Sequence, residues 1–344
     1  MLALRSSSAA AAVAWVSAEG GLERADLTAF KLSPGDDMRV SLDKAGSGYR
    51  VAVKGAVADA RPFLKSMTSS DSKGGKDSGK DVEADIAVNI LSGFNGEALT
   101  NANLKASIRG GDVRTAQFRG RFGGAPLAAT VAKGDRGQPL LSLESADSGA
   151  TLRFLDIYKR MYGGRLALSL YLNDGPQAGV VQIKDFALRN EPALSSIVAQ
   201  GPADGRRAAP NANDVGFDKM RANFTRAGSR VTFSDAAISN AAMGFTAGGW
   251  LDTAKERTQI DGTFVPLYGL NNVVAHVPLV GPLLAGGSNE GLFAVNFNVS
   301  GPIAKPTVNV NPLSAVAPGF LRKLFGAGNG EAFANGAPSP TPEQ

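Results

Sequence analysis

Few side chains in this sequence have the type and spacing that perform chemistry. The segment Gly74-Gly75-Lys76-Asp77-Ser78-Gly79-Lys80-Asp81 carries the glycine and lysine spacing of a phosphate loop, whose backbone N–H groups would cradle phosphate oxygens. Asp81, however, stands where a Ser or Thr hydroxyl must reach magnesium, and no strand leads into the segment, so it reads as a solvated linker. Glu83 and Asp85 lie two residues apart, which places both carboxylates on one face of a strand, where they could serve as acid and base. The wet face of a sheet has the same pattern, and that reading is preferred. The one histidine, His276, sits among Val273, Val274, Val277 and Leu279 with no partner of the right kind nearby in sequence, and reads as a packed or interfacial residue. With no cysteine, disulfides, thiol catalysis and thiolate zinc sites are excluded, and one histidine excludes a histidine metal cluster. No serine occupies a Gly-x-Ser-x-Gly elbow, and no Gly-x-Gly-x-x-Gly opens a helix. The expectation is a non-enzymatic chain with no catalytic residues, no metal, no cofactor and no bound nucleotide.

The elements that would position any site follow from composition and period. The chain has 344 residues, 43% hydrophobic and 19% charged, with 42 Gly and 18 Pro. That is enough apolar material for a sizeable core and too much glycine for a helical bundle. The net charge is +5, with Lys and Arg scattered singly rather than gathered in a stripe, which argues against nucleic acid as a partner. No run reaches the 18 to 20 apolar residues of a spanning helix: the best, 264–285, carries Asn271, Asn272, His276 and three prolines. The opening residues offer a weak cleavable leader, but 12–17 fits an ordinary strand better, as though the chain were the C-terminal part of a longer protein.

Short alternating runs bounded by Gly, Asn and Asp recur along the chain, as in 39–43, 49–54, 85–90, 103–108, 115–122, 165–170, 179–183, 220–225, 230–233, 245–251, 258–264 and 292–299. Short connectors between them favour antiparallel neighbours. The fold expected is mainly β: a long, curved, antiparallel sheet, groove-like, built of repeated units. Helices are expected at 152–161, stopped by Gly163-Gly164, at 266–284, and at 312–325 after Asn311 as N-cap. The organisation predicted is a β segment over 1–65, a polar linker over 66–81, and a second β region over 82–200 carrying the 152–161 helix. A loop follows over 201–213, then a C-terminal β region with terminal helices over 214–325 and a tail over 326–344. One internal echo stands out: Gln182-Ile183-Lys184-Asp185-Phe186-Ala187-Leu188 resembles Thr232-Phe233-Ser234-Asp235-Ala236-Ala237-Ile238.

Such strands present an apolar face that needs a cover, and few amphipathic helices are available to provide it. Either a second sheet packs on it, or the sheet curls into an open trough satisfied by lipid chains. In the second case Val51, Val53, Ile86, Val88, Leu166, Leu168 and Leu170 line the trough. Composition does not separate these alternatives.

The C-terminal third is more specific. Asp261-Gly262-Thr263-Phe264-Val265-Pro266-Leu267-Tyr268-Gly269-Leu270-Asn271, Val277-Pro278-Leu279-Val280-Gly281-Pro282-Leu283-Leu284, Glu290-Gly291-Leu292-Phe293-Ala294-Val295 and the stretch from Gly301 to Arg322 together resemble the C-terminal region of large AsmA-like proteins of the YhdP type. Asp59-Ala60-Arg61-Pro62-Phe63-Leu64 resembles a recurring element of the same family. The resemblance implies a periplasmic bridge, anchored in the inner membrane in the family, whose β-groove carries phospholipid toward the outer membrane. Its partners would be phospholipid and a membrane surface or outer-membrane protein. Leu267, Leu270, Val274, Val277, Leu279, Leu283 and Leu284, with Phe320, Leu321, Leu324 and Phe325, would contact membrane or partner, although the same apolar period also suits helices that cap the sheet. The competing function is an envelope scaffold that binds protein.

Overall fold

The computed structural model describes residues 2–6, 9–16, 21–68, 79–135, 137–173, 175–199, 213–266 and 293–315. Its strands are β1 (Leu2–Ser6), β2 (Ala9–Val16), β3 (Leu22–Phe30), β4 (Asp37–Ala45), β5 (Gly48–Asp59), β6 (Val82–Ser92), β7 (Ala98–Arg109), β8 (Asp112–Phe122) and β9 (Ala125–Lys133). They continue as β10 (Pro139–Ser145), β11 (Met161–Tyr171), β12 (Gln177–Arg189), β13 (Asp214–Ala227), β14 (Arg230–Ser239), β15 (Met243–Asp252), β16 (Arg257–Pro266), β17 (Phe293–Pro302) and β18 (Thr307–Ala315). Three short helices interrupt them: α1 (Arg61–Thr68), α2 (Ser148–Phe154) and α3 (Pro192–Val198). The mainly β, antiparallel architecture expected from the alternation is the one observed. The described chain forms two compact units, one of residues 1–159 with 165–174, the other of 160–164 with 175–344.

In the first unit, neighbours in sequence are neighbours in the sheet from β1 to β11, antiparallel throughout except for β5 and β6, which run parallel. A parallel pair needs a long crossover. It is supplied by residues 60–81, whose first part is α1 rather than the polar linker expected to begin at Ser66. The phrase beginning at Asp59 is the start of that helix: Asp59 Oδ1 accepts from the Arg61 backbone N–H at 2.9 Å, while its carboxylate takes the Arg61 guanidinium at 2.8 and 2.9 Å. The fork holds the Asp59 carboxyl down to about pKa 2.

The helix expected at 152–161 lies earlier. Asp147 accepts from Ala150 N–H at 2.8 Å and so starts α2 at Ser148, while Met161 already begins β11. Gly163 and Gly164, expected as a helix stop, instead take positive φ within that strand. Likewise the residues from Pro312 to Ala315 belong to β18, so Asn311 is a strand residue paired with Asn296 and not a helix N-cap.

The second unit is an antiparallel meander of β12 to β18. Its two echoing phrases share a backbone cause. Asp185 and Asp235 each stand mid-strand at positive φ, 56° and 52°, which a short polar Asp tolerates; at Asp235 the register of β14 also shifts against both neighbours, a bulge, whereas β12 keeps its register with β13 across Asp185. The sheet of this unit is curled. In a flat sheet β17 would lie about 24 Å from β12 at ~4.8 Å per strand, yet α3, which directly follows β12, packs against both β17 and β18.

Candidate functional site

The pairing registers place side chains in rows that run across the strands. One row of the first unit comprises Leu27, Val40, Val53, Ile86, Leu104, Phe118, Ala129, Leu143 and Leu168, one residue from each of nine consecutive strands. The next row on the same face is Ala25, Leu42, Val51, Ala84, Ala106, Ala116, Val131, Leu141 and Leu170. A third, two residues further along, includes Val88, Ala102, Leu127 and Leu166. All seven residues expected to line a trough therefore share one face: Val53, Ile86 and Leu168 in the first row, Val51 and Leu170 in the second, Val88 and Leu166 in the third.

Burial differs between the rows. The third is covered. Ala60, which leads into α1, and Ala150 and Phe154 of α2 pack with Leu99, Phe122 and Leu127, with Phe154 edge-on to Phe122 at 5.6 Å between ring centroids. Val88 joins Met38 and Ala58 beside them and is only 4% exposed. α2 is fixed at this edge by Arg153, whose Nε donates to Glu97 at 2.6 Å, and by the N–H of Phe94, which donates to the Phe154 carbonyl at 3.0 Å. A side chain on Gly93 would overlap the Phe154 ring, so only glycine allows the docking. By contrast every member of the first row is only partly buried, and none of the nine is fully buried. Phe118 packs at the margin of the α2 cluster, and Val53 and Ile86 at the margin of the Val88 cluster.

The opposite face is polar. Arg109 pairs with Glu83, which also accepts from the Ser107 hydroxyl at 3.0 Å, and Lys105 lies 3.8 Å from Asp85. The Arg109 guanidinium, with Ser107 second, holds the Glu83 carboxyl below its ordinary range. Glu83 and Asp85 thus each face a cation on a wet surface, an arrangement of ion pairs rather than of an acid and a base. Lys80, the second lysine of the phosphate-loop-like segment, donates to the Tyr49 hydroxyl at 3.1 Å and lies over its ring; residues 74–78 and His276 lie outside the described residues. Among the described residues there is no group of three side chains that could hold a metal ion, and no helix is long and apolar enough to cross a membrane.

The second unit repeats the pattern. Ile183, Met220, Ile238, Phe245, Phe264 and Val295 form one cross-strand row, and Phe186, Phe217, Phe245 and Phe264 follow one another at centroid distances of 5.6, 6.1 and 4.8 Å. At that edge Leu194, Ile197 and Val198 of α3 are buried. Two rungs away, Phe224, Phe233, Ile260, Val299 and Val308 are again half-buried. The residues expected to contact membrane or partner, namely Leu267, Leu270, Val274, Val277, Leu279, Leu283, Leu284, Phe320, Leu321, Leu324 and Phe325, lie outside the described residues. Leu27, Val40, Leu104, Phe118 and Leu143 belong to the site and were missing from the expected lining, although each sits at an alternate position of an apolar run.

Compared with known protein families, curated proteins and solved structures, the chain matches none.

Proposed function

We propose that this protein is a non-enzymatic lipid carrier whose apolar sheet face holds phospholipid acyl chains, in the periplasm, between an inner and an outer membrane. The observation that carries the reading is the first row: nine consecutive strands contribute an apolar side chain to one line, and all nine stay partly exposed. Fully burying a Leu, Val, Ile or Phe side chain is worth about 1.5–3 kcal/mol, so a folded chain that leaves such a line open forgoes much stabilisation unless something else covers it. At ~4.8 Å per strand the line spans about 38 Å, more than the ~30 Å hydrocarbon thickness of a whole bilayer. An acyl chain can therefore lie along it at full length. Hydrocarbon is recognised by area and width, which fits two cross-strand rows built of apolar side chains, with the Lys44–Glu23 ion pair two residues beyond the second row. The periplasmic setting and the phospholipid class rest on the resemblance of the C-terminal third to AsmA-like proteins.

Intact-mass measurement of the gently purified full chain tests the proposal. Copurifying phospholipid is expected, and Ile86→Asp or Leu104→Asp should strip it while strand content by circular dichroism is retained. A wild-type chain free of lipid would favour a scaffold that covers the same face with protein.

A further inference from the structure

The outward face of the second unit has a composition that sheet formation does not account for. In β15, β16 and β17 the pleat alternates strictly, so Thr246, Gly248 and Trp250 lie on the face opposite Phe245 and its row, as do Asp261, Thr263, Asn296 and Asn298. Asn296 pairs with Asn311 and Asn298 with Asn309, which makes a square of four asparagines on two strands. Asn and Asp are among the residues least suited to strands, so such a block costs propensity without adding to the core.

The block is organised. The Thr263 hydroxyl donates to Asn296 Oδ1 at 2.9 Å, and Asn298 Nδ2 donates to Asp261 Oδ1 at 2.7 Å. These bonds aim the Asn296 amide and the second Asp261 oxygen while leaving hydrogen-bonding capacity on each. Next to them is a depression of about 460 Å³ whose lining includes Asp235, Thr246, Gly248, Asp261, Thr263 and Asn296, two carboxylates among them and no lysine or arginine. On the following rung Trp250 presents an indole with the Arg230 guanidinium over one face, 4.1 Å from the ring centroid, which leaves only the other face for a ligand.

A depression with carboxylates and no cation rejects phosphate and other anions. Carboxylate and amide groups at fixed spacing, however, both accept from and donate to neighbouring hydroxyls, and an indole beside them suits the C–H face of a sugar ring. We infer that the outward face of β14 to β17 binds a neutral, hydroxyl- and amide-rich glycan, with Asp261 and Asn296 as hydrogen-bonding partners and Trp250 as the stacking platform. This site lies on the opposite face from the apolar rows, so either reading can fail without the other.

Titration of the full chain with chitotetraose, cellotetraose and maltotetraose, followed by calorimetry and indole fluorescence, tests the inference. At least one is expected to bind; Asp261→Ala and Asn296→Ala should each weaken it about tenfold, the scale of one lost hydrogen bond. Trp250→Ala should remove the fluorescence response, and Lys105→Ala, in the first unit, should leave binding unchanged. The isosteric Asp261→Asn repeats the test should an alanine variant fold poorly. Absence of binding by all three sugars at about 10 mM, or binding unaffected by the Asp261 and Asn296 variants, would overturn the assignment.

Discussion

Val88 and Val53 are the same residue type on the same face of adjacent, paired strands, yet Val88 is 4% exposed and Val53 only half-buried. The difference is what lies over them. Val88 lies inside a cluster with Met38 and Ala58, whereas Val53 and Ile86 pack against the margin of that cluster and stay partly exposed. One sheet face is thus divided along its length into an edge that holds the unit together and an open strip that does not. Structural cost and functional cost should separate along that line, and substitutions can test the separation.

The largest stability loss is expected at the covered edge. Phe154→Ala removes a ring that is 5% exposed, contacts Phe122 and lies against Gly93. The loss should be about 3–5 kcal/mol by urea denaturation of the full chain, the range for deleting a buried aromatic. A loss below about 1 kcal/mol would mean that α2 is not a structural cover.

Next comes the start of α1 at the same edge. Asp59 is held near pKa 2 by Arg61, against 3.8 for the free side chain. A depressed carboxyl stabilises the fold above its unfolded pKa and ceases to do so as pH falls through its folded pKa. This contribution should therefore be complete above about pH 4 and disappear toward pH 2. Because Arg61 is half-exposed, screening limits it to about 1–2 kcal/mol. Asp59→Asn should flatten the stability profile between pH 4 and 2; an unchanged slope there would remove Asp59 from the edge's design.

On the open strip the order reverses. Leu104→Ala should cost only about 1 kcal/mol, because the side chain is partly wet already, yet it should lower the lipid retained by the purified chain. A loss comparable with that of Phe154→Ala would show that the strip is packed and would erase the contrast.

How much of this was legible in sequence depends on how local the cause is. Alternation at Val51-Val53, Ile86-Val88 and Leu166-Leu168-Leu170 placed seven residues on one face because a pleat has a fixed period of two. The strand β9 escaped because its face alternates Leu127, Ala129 and Val131 with Ala128, Thr130 and Ala132, and alanine gives little contrast. α2 starts four residues before the expected helix because the cap at Asp147, and not the apolar run at Leu152, sets it. α1 and the parallel pairing it allows are hard to read in sequence since five of its eight residues are polar or proline and the signal lies in the Asp59–Arg61 fork. The echo of Asp185 and Asp235 is visible as words, but only backbone dihedrals show that both words place an Asp at positive φ. Division of the face into covered and open rows is a property of register across nine strands, and no local pattern carries it.

The smallest effect is expected on the far side of the same strand. Lys105 neighbours Leu104 in β7, but its side chain is 75% exposed and lies 3.8 Å from an Asp85 carboxylate that is itself 61% exposed. An ion pair so wet gains little over its separate hydration, so Lys105→Ala should change stability by no more than about 0.5 kcal/mol. It should also leave copurifying lipid unchanged, since the pleat turns position 105 away from the apolar row. Measured beside Leu104→Ala, it uses one residue step to separate the two faces: equal loss of lipid from both variants would mean that lipid is held by something other than the apolar face, whatever the stability data show.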